Sequence, residues 1–267
     1  MNILYVGDIM GALGIEAVRR VLPELRREKQ IDLVIAQGEN VTDGKGLSVA
    51  DFELLRSYGV DFFTGGNWSL FRPEIIPYLE DPARPVTRPA NYPAGTPGRG
   101  WKYIKSPQGN VLVISLLGQI IGKDSGKPCD NPLKVIDQIL EENKGRQRAA
   151  TIVNFHGDYS SEKKVIGYYL DGRATAVIGD HWHIPTADAM VLPDGTAHIT
   201  DVGMCGALHS SLGVKLSAVI PRWRDNIKNK NDLETEGPLQ FNAVLIATTP
   251  QTALAKSIIQ IQKMIDR

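Results

Sequence analysis

Three of the chain's five histidines, His156, His181 and His183, stand close together in the sequence. Upstream of them lie four oxygen-bearing side chains, Asp8, Glu39, Asn40 and Asn67. Imidazole nitrogens with carboxylate and amide oxygens suit Mn, Fe or Zn rather than Ca or copper(I). Three histidines and two carboxylates are enough ligands for two metal ions sharing a bridging Glu or Asp. Each residue alone has an ordinary explanation. An Asp after a strand forms a turn or caps a helix, and an Asn after two glycines holds a left-handed turn. Jointly these positions favour a metal centre.

The elements around them explain why they converge. Apolar, strand-like runs at 3–6, 33–36 and 62–64 end in Gly7-Asp8, Gly38-Glu39-Asn40 and Gly65-Gly66-Asn67. The polar positions recur about every 30 residues, the length of a βαβ unit. Residues 15–28 show helical spacing, with Val18, Val21, Leu22 and Leu25 on one face, and Ser48 with Asp51 forms a capping box for the next helix. Strands alternating with helices predict a parallel sheet whose carboxyl ends share one edge, where ligands bind. A strand at 151–155 ends in His156, and one at 176–178 leads to His181-Trp182-His183. Read as extended chain, that tripeptide turns both imidazoles the same way, towards one ion. Further strands are expected at 111–117, 196–200 and 241–247. Helices are expected at 133–142 and 161–170 and from about Gln251 to the C-terminus. The Pro- and Gly-rich stretch 82–100 reads as an ordered surface loop pinned by Tyr92 and Trp101.

Composition narrows the function. The 267 residues carry 30 basic and 30 acidic side chains, for a net charge of zero. That balance argues against a protein that coats nucleic acid or an anionic membrane. Hydrophobic residues at 42% and charged residues at 22% exclude a disordered chain. Two cysteines, Cys129 and Cys205, provide neither a disulfide framework nor a Cys-rich zinc module. The longest apolar run, 111–121, is too short to span a bilayer, and no leader segment is visible, so a reduced, cytoplasmic protein is expected. Residues 222–230, with Arg222, Arg224, Lys228 and Lys230 against Asp225, read as a solvated loop. The Pro-rich loop and the tail from Gly213 are candidate contacts in a homo-oligomer.

Several motifs carry a family resemblance. They are Asp8 in Gly-Asp-Ile-Met-Gly, Gly38-Glu39-Asn40 with Gly44-Lys45-Gly46-Leu47, Gly66-Asn67, and Arg88-Pro89-Ala90-Asn91 with Gly95-Thr96-Pro97-Gly98. Further along come His156 with Ser161-Glu162-Lys163, Asp171-Gly172-Arg173-Ala174, His181-x-His183 with Pro185-Thr186-Ala187-Asp188, and Thr200-Asp201-Val202-Gly203-Met204. In this order they resemble the YmdB-like branch of the calcineurin-like metallophosphoesterases. The match covers roughly residues 1–213 and fades beyond, so 214–267 read as the weakly matched part of a single domain, 1–267. The resemblance implies an α/β fold, a four-layer α/β/β/α sandwich. It also implies a dinuclear centre of Fe, Mn or Zn, and hydrolysis of phosphodiesters such as 2′,3′-cyclic nucleotides. Carried over by position, Asp8 and His183 bind one metal, Asn67, His156 and His181 the other, Glu39 bridges, and Asn40 reaches the phosphate.

The chain departs from the family at the position after Asn67. There the motif has a histidine, thought to protonate the leaving oxygen, and this chain has Trp68. An indole N–H cannot give up and regain a proton near neutral pH, and losing a general acid costs about 10²–10⁴ in rate. The family's His-Ala-Glu-Ala-Thr becomes His156-Gly157-Asp158-Tyr159-Ser160, and its Thr-His-Thr-His becomes Asp180-His181-Trp182-His183. Three readings follow. In the first, the protein is a phosphodiesterase with another proton donor, His209 or Asp180, and Trp68 stacks on a base. In the second it binds metal and nucleotide with little turnover, as a regulator. In the third the metal is structural.

Overall fold

The structure is a computed structural model in which residues 1–121, 126, 128–249 and 252–266 are described. The N-terminal part runs β1 (Asn2–Val6), β2 (Asp8–Ile9), α1 (Gly11–Glu28), β3 (Leu33–Gln37), α2 (Val49–Ser57), β4 (Phe62–Thr64) and α3 (Ile76–Glu80). The middle part runs β5 (Trp101–Ser106), β6 (Gly109–Leu117), α4 (Pro132–Glu142), β7 (Ala150–His156), α5 (Ser160–Tyr169), β8 (Ala176–Asp180), β9 (Met190–Val191) and β10 (Ala197–Ile199). The chain closes with β11 (Met204–Ala207), α6 (Leu216–Asp225), β12 (Leu239–Thr248) and β13 (Ala255–Ile265).

The strands form two sheets. One has the order β2-β11-β12-β1-β3-β4, with β13 paired along β12, and the other is β5-β6-β7-β8-β10-β9. β1, β3 and β4 are parallel, as are β6, β7, β8 and β10. Alternation along buried strands sets the layers, because successive side chains point to opposite faces. On β1, Leu4 and Val6 pack with Val18, Val21 and Leu22 of α1 and Phe52 and Leu55 of α2. Ile3 and Tyr5 face the other way, against Val113, Ile152 and Ile178 of the second sheet. That sheet turns Leu112, Ile114, Val153 and Phe155 outward onto Ile136 and Ile139 of α4 and Ile166 of α5. Three apolar layers between four structural ones make the α/β/β/α sandwich.

Three expectations are corrected. Instead of one sheet edge, the parallel strands of two sheets supply the polar positions. The C-terminal segment is a strand: Gln251 itself lies outside the described residues, but Ala255–Ile265 pairs antiparallel with β12 from Ala255↔Thr248 to Ile265↔Leu239. Its isoleucines match helical spacing, yet β-branched residues favour a pleated partner, and β12 supplies one. Residues 216–225 of the basic segment's neighbourhood are helical, and only 226–230 form the exposed loop expected there. Among the described residues no helix is long and apolar enough to cross a membrane.

Candidate metal centre

The carboxyl ends of β1, β3 and β4 in one sheet meet those of β7 and β8 in the other. Asp8, Glu39, Asn67, His156 and His183 are all buried there, and His181 is half-buried. Asp8 opens β2, whose pairing with Met204 of β11 fixes it. Glu39 follows β3, and its two oxygens divide their partners. Oε1 lies 2.8 Å from His156 Nε2, and Oε2 accepts from the Trp68 backbone N–H at 3.0 Å. His156 Nε2 is also 3.1 Å from Asn67 Oδ1. Gly66 is required beside them, because a Cβ there would overlap Glu39 Oε2 and the His156 ring.

The His181–His183 segment is a turn rather than extended chain, which changes the expected geometry. His181 has φ of 100° and His183 φ of 61°, so the two rings diverge. His181 stacks edgewise on His156 with centroids 4.4 Å apart, and its Nε2 lies 3.3 Å from Asp158 Oδ2. His183 turns instead to Asp8, with Nε2 3.7 Å from Oδ1, and its Nδ1 is 3.2 Å from the Leu212 carbonyl. Two groups result, one of Glu39, His156, His181 and Asn67 and one of Asp8 and His183.

A buried polar network that sequence reasoning missed supports the first group. Asp180 carries His156 Nδ1 on Oδ1 at 2.7 Å, and Oδ2 accepts from Tyr5 and Gln37 at 2.9 and 3.1 Å and also from Asn154. The buried Lys163 ammonium donates to the Asp180 carbonyl at 2.6 Å and to Asp201 Oδ2 at 2.8 Å, and lies 4.1 Å above the Trp182 ring. Asp201 Oδ2 also accepts from the Trp182 N–H at 2.9 Å, which pins the turn between the histidines. The available signal was Lys163 in the Ser-Glu-Lys motif, a charged residue on the apolar face of α5.

The electrostatics call for positive charge. Asp8, Glu39, Asp180 and Asp201 are all buried here, with the Lys163 side chain among them. Burial, followed by the neighbouring Asp180 carboxylate, pushes Asp8 well above the usual carboxylate range. Burial would likewise raise Glu39, but His156 outweighs it and holds the carboxyl below its ordinary value. His156 is raised well above a free imidazole: burial opposes this, and Glu39 and Asp180 overcome it. Burial and the neighbouring His181 lower His183 to about 4, leaving a neutral imidazole suited to coordination. The residues fit a metal. Donor atoms of Glu39, His156 and His181 lie within 4.8 Å of one another. Among the described residues the buried Asp8 Oδ1 and Asn40 Oδ1 have no hydrogen-bond donor, an expensive state for buried oxygens that a cation relieves.

The two suggested proton donors fare poorly. Asp180 is fully buried with both oxygens engaged, so it cannot reach a leaving group. His209 is exposed on the loop after β11 and makes no hydrogen bond or ion pair with the cluster among the described residues. Asn40 is buried, with Nδ2 donating to the Gly44 carbonyl at 3.0 Å, so one of its two N–H bonds is committed.

Comparison with known proteins agrees with the fold and the motifs. A family model described as "YmdB-like protein" matches residues 4–261, well past residue 213, where the resemblance read from the sequence fades. A Bacillus subtilis (strain 168) protein named 2′,3′-cyclic-nucleotide 2′-phosphodiesterase is 36% identical over 258 residues, spanning 97% of this chain and 95% of its own length. The crystal structure of a hypothetical protein from Thermus thermophilus superposes with a TM-score of 0.89 at 35% identity, covering 99% of this chain and 100% of that one. A novel phosphatase from Mycoplasma pneumoniae superposes at 0.91 with 28% identity, covering 100% and 94%. The calcineurin-like phosphoesterase YfkN of Bacillus subtilis, at 10% identity and a TM-score of 0.53, shares the fold alone over 100% of this chain and 90% of that one. With its whole fold and nearly all its length matched, the chain belongs to the YmdB-like family, and its fold is the one it shares with the calcineurin-like phosphoesterase YfkN.

Proposed function

We propose that this chain is a single-domain hydrolase of phosphodiesters, with 2′,3′-cyclic nucleotides as its substrates. The observation that carries this reading is the convergence of Glu39, His156 and His181 beside a buried Asp8 oxygen that lacks a hydrogen-bond donor. Asn67, His156 and His181 would hold one metal ion (Fe, Mn or Zn), Asp8 and His183 a second, and Glu39, which sits with the first group, would be the ligand the two share. When bound, such a pair supplies positive charge for the phosphoryl oxygens and an acidified water. The protein's own residues do the rest. Asn40 keeps one N–H for a phosphoryl oxygen, and Asp158 orients His181.

The rim supports a nucleotide. Trp68 is half-buried beside Glu39, with Lys45 Nζ 4.5 Å from its ring centroid and Phe71 packed edgewise at 5.3 Å. Phe71 is 48% exposed. An aromatic wall with a cation beside a phosphoryl site suits an anionic ligand that carries a flat ring. Both thiols are free, which fits the reducing conditions of a cytoplasm.

The test is hydrolysis of bis(p-nitrophenyl) phosphate and 2′,3′-cyclic AMP by Mn-loaded protein, lost in His156→Ala and on chelation. A second reading, binding with little turnover, is favoured by Trp68 where the family's proton donor stands. Uptake of two metals with no turnover of either ester would select it.

A further inference from the structure

We propose that Asp180 is a positioning residue for the metal centre. It holds His156 so that Nε2, and not Nδ1, faces Glu39 and Asn67, and it locks the two sheets in register at that point. The inference rests on reading Glu39, His156 and His181 as metal-holding residues.

Asp180 is wholly buried at the end of β8, and its carboxylate gathers donors from three other strands. Tyr5 of β1 and Gln37 of β3 come from one sheet, and Asn154 and His156 of β7 from the other. Its two oxygens have different work. Oδ1 takes His156 Nδ1 at 2.7 Å, while Oδ2 receives Tyr5, Gln37 and Asn154. An imidazole that donates Nδ1–H to a carboxylate presents its Nε2 lone pair on the opposite side. On that side lie Glu39 Oε1 at 2.8 Å and Asn67 Oδ1 at 3.1 Å.

Gln37 extends the same control to Glu39. Its Nε2 donates to Asp180 at 3.1 Å, and its Oε1 accepts the Glu39 backbone N–H at 3.2 Å. One carboxylate thus orients the imidazole directly and the neighbouring acid through a single amide. Such outer contacts are worth about 10–100-fold in metal affinity. A carboxylate is specifically needed, because every group around it is a donor. An amide at this position would turn an N–H towards one of them.

The experiment measures Zn and Mn affinity of the metal-stripped protein by calorimetry, without reference to activity. Asp180→Asn is expected to weaken binding by about 10–100-fold with unchanged circular dichroism. Tyr5→Phe, which removes one donor from Oδ2 and leaves the His156 contact, is expected to change it far less. Equal affinity of folded Asp180→Asn and wild type overturns the proposal. Should Asp180→Asn not fold, the wild type alone decides. In ¹⁵N-histidine spectra of the Zn-loaded protein, the proposal requires a protonated Nδ1 and a metal-bound Nε2 at His156. The reverse tautomer overturns it. Failure of the wild type to take up either metal overturns the metal reading and this inference with it, whereas weak discrimination between variants overturns only the inference.

Discussion

His181 and His183, two residues apart, turn to different acids. His181 Nε2 lies 3.3 Å from Asp158, and His183 Nε2 lies 3.7 Å from Asp8. Both hold positive φ, a region that non-glycine residues occupy at a cost of about 1–3 kcal/mol. His183→Ala should therefore lose one of two bound metals while the Glu39–His156–His181 group keeps the other. His183→Gly should do the same, but its metal-free form should be more stable than the alanine variant by about 1 kcal/mol. Metal content by mass spectrometry and thermal melts of stripped protein check both. Complete metal loss in His183→Ala would mean that the two groups do not bind independently.

Restoring an imidazole after Asn67 should help in proportion to the need for a proton. Trp68→His is expected to raise turnover of 2′,3′-cyclic AMP by about 10²-fold or more. Turnover of bis(p-nitrophenyl) phosphate, whose leaving group needs no proton, should change little. Comparable gains on both esters would show that Trp68 does not stand at the donor's position.

Gly66 touches both halves of the cluster. Gly66→Ala would drive a methyl group into Glu39 Oε2 and the His156 ring. Overpacking of this kind costs about 1–3 kcal/mol, and metal affinity should fall with it. Urea unfolding and calorimetry on the same sample measure the two effects. A variant as stable and as metal-avid as wild type would contradict the tight packing.

Acid stability should depend on Asp188, which is not one of the metal residues. Burial would raise its pKa, but bonds from Thr186, Thr200 and the Lys164 ammonium outweigh burial and hold the carboxyl well below its usual range. The unfolded chain then takes up the proton first as pH falls. The stabilisation is complete above about pH 4 and disappears as pH drops through the lower folded value. Asp188→Asn should cost about 2 kcal/mol at neutral pH, and the gap to wild type should begin to narrow once pH falls below about 4. Melts at pH 7 and pH 3 compare the two. A gap independent of pH would assign the loss to packing.

Much of the site was legible because its residues follow apolar runs, a pattern that a single sequence displays. Asp8, Glu39, Asn67 and His156 all lie where strand endings place them. The diverging histidines were not legible, because a positive φ in a His-x-His segment has no local mark. Nor was Asp180's role: its donors, Tyr5, Gln37, Asn154 and His156, are brought together only by two sheets packing face to face. The C-terminal strand was misread because Ile258, Ile261 and Ile265 satisfy helical spacing, while the pairing with β12 that decides the matter is tertiary.

The threading of the sheets bears on how the protein comes to exist. β1 and β3 begin one sheet, the chain then builds the whole second sheet, and it returns to the first only with β11 and β12. Asp8 finds its strand partner in Met204, and β1 its second neighbour in residues 243–247. A growing polypeptide on the ribosome would therefore expose its early acids long before their surroundings exist. All six donors are in the chain once His183 is made, but the strands that flank Asp8 follow it, so a chain stalled between the two would hold the donors without their frame.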